Sequence, residues 1–269
     1  MNTPNVKQTA HNSRNSTPAR VLARAGFAVN GVVNAIIGAI AIGIAVSGGG
    51  SADQSGAFAA IAANPAGLVL LWVIAIALAA LGLWYLLGSF LENDRDTKGR
   101  ALKIAIGVGK GVAYLALAVG AAGFAVGSGS DSAGQATSFT AQLLATPGGV
   151  IVVVAVGLLV CGIGGYMVWK GLSRGFEEDL AVPGGRTGKV VLGAGVLGYV
   201  ARGIALFVVG VLFIVASVTA DPSKASGLDG ALKALADLPF GKVILVVVGL
   251  GFIAYGVYSV LRARFAKLG

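Results

Sequence analysis

The sequence is poor in charged residues and has almost none of the side chains that build metal sites and disulfides. Only 12% of the 269 residues are charged, whereas an average soluble domain has about 25%. Cys161 is the single cysteine and His11 the single histidine. An internal disulfide is therefore impossible, and neither a His/Cys metal site nor a Ser-His-Asp arrangement is expected. The sequence predicts no cofactor and no metal.

Long apolar runs are what the sequence has instead. Hydrophobic residues make up 56% of the chain, and six runs approach the roughly 20 residues that a helix needs to cross a bilayer. The runs are residues 27–46, 66–88, 104–126, 148–169, 195–218 and 242–261. The first is taken as a retained span, although Ala45-Val46-Ser47 would also suit signal-peptide cleavage. The pattern predicts an all-α integral membrane protein with six transmembrane helices.

The six runs form three tandem hairpins. When Pro65, Pro147 and Pro239 are aligned, glycine recurs at fixed offsets from the proline in each hairpin. These positions are Gly82, Gly164 and Gly256, each 17 residues downstream, and Gly31, Gly111 and Gly203, which are 34, 36 and 36 residues upstream. A short amphipathic helix is expected before each proline, in the extracytoplasmic loop, either in the membrane interface or packed over the mouth of the bundle. In the third loop, Asp229, Lys233 and Asp237 form a polar stripe on such a helix.

The domain boundaries follow from the repeat. We predict a disordered cytoplasmic tail at 1–22, repeat 1 at 23–91, a charged cytoplasmic link at 92–103, repeat 2 at 104–172, a second charged link at 173–194, repeat 3 at 195–265 and a cytoplasmic end at 266–269. The segments that lie outside the repeats are short and polar.

The basic residues predict an orientation. Fifteen of the twenty lie on the side of the termini and the links, three lie on the other side, and two lie within spans. The positive-inside rule therefore places both termini in the cytoplasm. Aromatic residues near the same helix ends fit an interfacial belt; they are Trp84, Tyr85, Tyr166, Trp169, Tyr255 and Tyr258. Since topology accounts for the net charge of +9, nucleic acid is not an expected partner.

Lys110 and Arg202 are the two cations within the spans. They occupy the same column of the repeat, directly before Gly111 and Gly203, and Asn30 holds that column in repeat 1. The first interpretation is snorkelling, with the charge among lipid headgroups. The others are a lipid or anion site built from these residues together with Asn34, or the inner mouth of an anion pathway. Asn34 also suits an interhelical hydrogen bond.

Catalytic motifs do not emerge from the sequence. All eleven acidic residues lie outside the spans, which disfavours proton relays and cation-coupled transport. PGGRTGKV (183–190) lacks the first glycine and the final Ser or Thr of a phosphate-binding loop, and it is interpreted as a flexible cytoplasmic turn. We therefore do not expect an enzyme.

The repeat resembles a known family. Its most typical stretches here are GYVARGIALFVVG (198–210) and GALKALADLPFGKVILVVVGLGFIAYGVYSV (230–260), with more divergent versions at 23–41 and 108–120. These resemble domain of unknown function 1206 (DUF1206), a prokaryotic membrane family, common in actinobacteria, whose unit is one two-helix hairpin often present three times. The resemblance implies a multi-pass protein of the bacterial plasma membrane. It implies no activity, because none is established for the family.

These observations favour a non-catalytic membrane protein. Its expected partners are anionic membrane lipids, a membrane protein that it serves as an accessory or scaffold subunit, or further copies of itself. The alternative is a channel or carrier for an anion or small solute, which would require a polar path through the bundle.

Overall fold

The computed structural model describes residues 17–90, 97–180 and 184–266, and this part of the chain is almost entirely helical. Its α-helices are α1 (Thr17–Ser47), α2 (Gln54–Ala62), α3 (Pro65–Phe90), α4 (Thr97–Ala125), α5 (Ser132–Leu144), α6 (Gly149–Leu172), α7 (Gly185–Val218), α8 (Gly227–Ala236) and α9 (Gly241–Phe265). Single 3₁₀ turns lie at Glu177–Asp179 and Pro222–Lys224.

Six of these helices are long and apolar enough to cross a membrane. They are α1, α3, α4, α6, α7 and α9, and the short helices α2, α5 and α8 connect them in pairs. Pro65 stands at the first position of α3, where proline is tolerated because the first helical N–H groups have no partner within the helix. The prediction of an all-α protein with six transmembrane helices is confirmed.

Three helices begin earlier than the sequence predicts. α1 begins at Thr17, so residues 17–22 are helical and not part of a disordered tail, while residues 1–16 lie outside the described residues. α4 begins at Thr97 and α7 at Gly185, inside the two stretches interpreted as links. The length of an apolar run predicts only the part of a helix that lies in hydrocarbon. The whole of α7 is longer than its apolar run, because its 34 residues span about 51 Å.

The turn predicted at 183–190 is therefore wrong from residue 185 onward. Gly185 is the first residue of α7, and Gly188 and Val191 are buried on the next turns. Burial of this small and apolar face explains why a glycine-rich, basic stretch is helical despite its low intrinsic propensity.

The described chain divides into two compact units. The first comprises described residues within 1–30, 61–129 and 259–269, and the second comprises residues within 31–60 and 130–258. In the first unit α3 packs along α4, and in the second α6 packs along α7. Each of these pairs joins two helices that follow one another across a link.

Helix crossings in both units are built on glycine. Three crossings pair Gly82 with Gly111, Gly164 with Gly203, and Gly256 with Gly31. A Cβ atom on the first glycine of each pair would lie 2.9, 2.7 and 2.6 Å, respectively, from the carbonyl oxygen of the second. Since no side chain fits at such distances, the helix backbones are in direct contact, as small residues permit in membranes.

The short helices pack on one another within the second unit. The Asp229 carboxylate of α8 accepts a hydrogen bond from the Ala52 amide at 2.9 Å, and it pairs with Lys233 at 2.6 Å. The Ser132 amide of α5 donates to Ser55 Oγ of α2 at 3.2 Å. The polar stripe predicted on α8 is confirmed for Asp229 and Lys233 by this ion pair, and Asp229 is buried because it binds the chain that leads into α2.

Candidate functional site

Lys110 lies against a small aromatic cluster in the first unit. Its Nζ is 5.5 Å from the ring centroid of Tyr85, which α3 presents one turn after Gly82. The Tyr85 ring stacks on Tyr114 with centroids 5.6 Å apart and an interplanar angle of 5°. Phe27 meets Tyr85 edge-on at 6.4 Å. Because Lys110 and Tyr114 are four residues apart on α4, one face of that helix supplies both the cation and a ring.

Arg202 lies against a larger cluster in the second unit. Its Cζ is 4.7 Å from the Tyr255 ring centroid. Tyr255 packs edge-on against Tyr199, with centroids 5.4 Å apart, and Tyr199 stacks on Phe176 at 5.4 Å. Tyr258 also touches both Phe176 and Tyr199 edge-on. The cation thus meets the end of a chain of packed rings.

Phe176 belongs to the turn after α6, and a glycine makes room for it. The Phe176 side chain is fully buried, and a Cβ atom at Gly195 of α7 would lie 2.5 Å from its ring. The sequence analysis missed Phe176, because it stands in a charged stretch beside Glu177 and Glu178. An isolated aromatic residue in a polar link was the available signal.

The two asparagines of the predicted site are buried. Asn30 is 5% exposed and Asn34 is 3% exposed, one turn apart on α1. A buried amide needs hydrogen-bonding partners within the protein. Burial therefore favours the interhelical role of Asn34 over contact with lipid, and the same holds for Asn30.

Only part of the predicted aromatic belt is exposed on the protein surface. Tyr166 and Trp169 are 57% and 62% exposed on α6, as side chains at a membrane interface would be. Trp84, Tyr255 and Tyr258 are buried in the protein instead. Position near a helix end does not distinguish the two environments, since a helix end has both an outer and an inner face.

Both cations lie near the face of a tyrosine ring. A ring face attracts a cation through its quadrupole, by about 0.5 to 2 kcal/mol depending on solvation. A guanidinium that lies on a ring keeps its N–H groups pointing outward in its own plane. The six spans contain no Asp or Glu.

The chain matches one family model three times. The model of the Domain of Unknown Function (DUF1206) matches residues 25–91, 105–174 and 197–266. A similar protein of Bacillus subtilis (strain 168), Uncharacterized protein YxxB, is 31% identical over 251 residues, which are 91% of this chain and 90% of that protein. The chain belongs to the DUF1206 family. No solved structure matches it.

The three DUF1206 segments confirm the tandem repeat and show how the repeats contact one another. The first segment contains α1 and α3, the second α4 and α6, and the third α7 and α9. Each glycine crossing therefore joins the second helix of one DUF1206 repeat to the first helix of another. Repeat 1 packs on repeat 2, repeat 2 on repeat 3, and repeat 3 on repeat 1.

A second small residue lies two turns along each crossing. Gly157 packs on the carbonyl of Gly210, and Gly249 packs on the carbonyl of Gly38, each seven residues from the first contact. The corresponding residues in the crossing of DUF1206 repeats 1 and 2 are Ala75 and Ala118, which are also buried. The sequence prediction used the glycines of the first contact in each crossing but not this second position, for which the seven-residue offset shared by the repeats was the usable signal.

The DUF1206 repeats do not give equivalent partners to the two cations. Lys110 of repeat 2 lies on Tyr85 of repeat 1, whereas Arg202 lies on Tyr255 of its own repeat. In the first unit, Arg262 also lies 4.7 Å from the ring of Phe27, a contact the sequence analysis did not predict. The repeat thus determines the position of each cation along its helix. The neighbouring rings determine the direction that its side chain takes.

Proposed function

We propose that the protein is a non-catalytic membrane protein that binds anionic phospholipid through Lys110 and Arg202, as an accessory or scaffold component of the bacterial plasma membrane with both termini in the cytoplasm. The observation that carries this proposal is the placement of both intramembrane cations on tyrosine rings, in spans without any acidic residue. Lipid phosphate is an anion whose charge complements both cations.

The position of the cations supports a headgroup as the anion. Lys110 and Arg202 each precede the far end of their helix by about 15 residues, or about 23 Å. In a hydrocarbon core of about 30 Å, that distance puts both cations within reach of the opposite interface. Long basic side chains extend toward phosphate from such a depth.

The energies are consistent with one lipid phosphate at each cation. A cation in the middle of a membrane helix costs at most about 2.5 to 3.5 kcal/mol on insertion scales, and a tyrosine face offsets about 0.5 to 2 kcal/mol. The remainder is about 0.5 to 3 kcal/mol. An anionic membrane surface contributes about 1 kcal/mol for each basic residue near it.

Native mass spectrometry of protein extracted gently from its own membranes tests the proposal. We expect anionic phospholipid to remain bound to the wild type, and Lys110→Met combined with Arg202→Met to remove part of it. Lys242→Met, at the exposed start of α9 on the other side of the membrane, is the matched control and should retain lipid.

Flux measurements in liposomes separate this function from transport. If the cations only hold headgroups, the double variant should leave anion permeability unchanged. A wild type that conducts anions, with flux altered in the double variant, would contradict the proposal and favour a channel or carrier. A stoichiometric second polypeptide in the mass spectrum would support the accessory role.

A further inference from the structure

An open cavity of about 430 Å³ lies in the second unit, where the chain passes from α6 to α7. Its lining residues are Arg174, Lys189, Leu192, Gly193, Val196 and Leu197. Two of them are cations and the others are apolar or glycine. Ligand sites commonly have volumes of about 300 to 1,000 Å³, so the cavity is large enough for a lipid headgroup.

Five of the six lining residues form one face of α7. Lys189, Gly193 and Leu197 are spaced four residues apart, and Leu192 and Val196 fill the intervening row. The face is about 12 Å long from Lys189 to Leu197. It runs from a charged end to an apolar end, and Leu197 remains 63% exposed there.

The backbone fixes Arg174 at the charged end. α6 ends with the Gly175 amide bonded to the Lys170 carbonyl at 3.1 Å and the Arg174 amide bonded to the Gly171 carbonyl at 3.3 Å. This pattern places Arg174 in the left-handed region, with φ of 57°, at a position where glycine is the usual residue. Arg174 lines the same cavity as Lys189, and a glycine in its place would leave the cavity with one described cation.

The charge of the cavity is uncompensated within the described part of the chain. Neither Arg174 nor Lys189 forms an ion pair with a described residue, and no acidic residue is among the lining residues that the structure describes. Both side chains are exposed. Glu177 and Glu178 follow Arg174 in the chain, but neither is among the lining residues that the structure describes.

We propose that this cavity binds one anionic phospholipid, with Arg174 and Lys189 on its phosphate and an acyl chain along Val196 and Leu197. The charged end complements a phosphodiester, the arginine by its forked N–H groups and the lysine as a point charge. The apolar end favours a lipid over a free phosphate, which would gain nothing from it. This inference rests on the proposed lipid-binding function, but its site is separate from Lys110 and Arg202.

Two variants test the site with little risk to the fold. Arg174→Gly with Lys189→Gln removes both charges and suits the left-handed backbone. Gly193→Leu fills the cavity, because a Cβ atom at Gly193 meets nothing within 4 Å. Gly162→Leu on α6 is the matched control, since its Cβ atom also points into open space and away from the cavity.

The measurement is native mass spectrometry of delipidated full-length protein titrated with phosphatidylglycerol or phosphatidylcholine. Removing each charge should weaken the first phosphatidylglycerol by about fivefold, hence about 25-fold for both. Gly193→Leu should weaken it at least fivefold, and Gly162→Leu should not change it. Soluble glycerol 3-phosphate should not displace the lipid at equal concentration; if it does, the site binds phosphate and not lipid, and the inference is wrong.

The controls distinguish failure of this site from failure of the proposed function. If Arg174→Gly with Lys189→Gln binds phosphatidylglycerol like the wild type while Lys110→Met with Arg202→Met does not, the cavity is not the site and the proposed function stands. If the wild type does not distinguish phosphatidylglycerol from phosphatidylcholine, both are overturned.

Discussion

Each unit holds an intramembrane cation against a tyrosine, but the two surroundings differ. In the first unit Lys110 is exposed and lies 5.5 Å from a half-buried ring, Tyr85. In the second unit Arg202 is half-buried and lies 4.7 Å from Tyr255, whose neighbouring rings are all buried. The added ring is Phe176, which lies outside the three segments that match the family. The repeat supplies the position of the cation, and a link residue turns one copy into a tightly packed cluster.

Removing the link ring should have the largest effect. Phe176→Ala should destabilise the protein by about 3 to 5 kcal/mol, the usual cost of deleting a fully buried phenyl ring. Tyr114→Ala in the first unit should cost less, because Tyr114 is only partly buried. Unfolding by denaturant in detergent measures both. Equal costs would show that the two clusters are packed alike.

The glycines beside the cations offer a second comparison. A Cβ atom at Gly203 would meet backbone atoms of Gly164 and Val168 at 2.7 and 2.8 Å, whereas one at Gly111 would first meet the movable end of Leu86. Gly203→Ala should therefore destabilise by about 1 to 3 kcal/mol. Gly111→Ala should cost clearly less, since Leu86 can rotate. The same unfolding assay decides, and a larger loss for Gly111→Ala would contradict the contact geometry.

A third pair of variants tests how much free space surrounds each aromatic cluster. Gly195→Ala would push a methyl group into the buried Phe176 ring and should cost about 1 kcal/mol or more. Gly107→Ala in the first unit would meet the Ser89 hydroxyl, which can rotate away from its bond to the Tyr85 carbonyl. We expect Gly107→Ala to be neutral or slightly stabilising, because alanine favours helix by up to about 1 kcal/mol. Thermal midpoints of both variants in one detergent provide the check.

Exchanging the cations should give the smallest effects. Arg202→Lys loses a planar group that stacks on Tyr255 and should destabilise by about 0.5 to 1 kcal/mol. Lys110→Arg gains such a group over Tyr85 and should be neutral or stabilising by a similar amount. Tyrosine fluorescence during unfolding follows both clusters. A stabilising Arg202→Lys would show that the guanidinium does not stack favourably.

The sequence predicts the membrane-spanning architecture because hydrocarbon imposes a simple requirement on composition and length. The apolar run at 66–88 corresponds to α3, and the aligned Gly82 and Gly111 do mark a helix contact. The start of α7 at Gly185 was missed because helix outside the hydrocarbon carries no apolar signal. At this end of α7 the signal that remains is the burial of Gly188 and Val191, which only the structure shows.

The sequence predicts where the residues of the candidate site lie along their helices, but it does not predict which side chains surround them. The column of Lys110 and Arg202 follows from the repeat, but their different tyrosines do not, because side-chain direction depends on which helix lies next to the cation. Asp229 is a similar case: an acidic residue looks solvent-exposed in sequence, and only its bond to the Ala52 amide explains its burial.

The crossing of α9 on α1 also has a consequence for synthesis. The close contact of Gly38 can form only after Gly249 has been synthesised, about 210 residues later in the chain. At about 5 to 20 residues per second, the ribosome needs about 10 to 40 seconds to make that stretch. During this time α1 exposes a glycine-lined face to lipid or to the insertion machinery. A chain that stops before α9 would leave that face permanently open, so membrane quality control would have an uncovered helix to recognise.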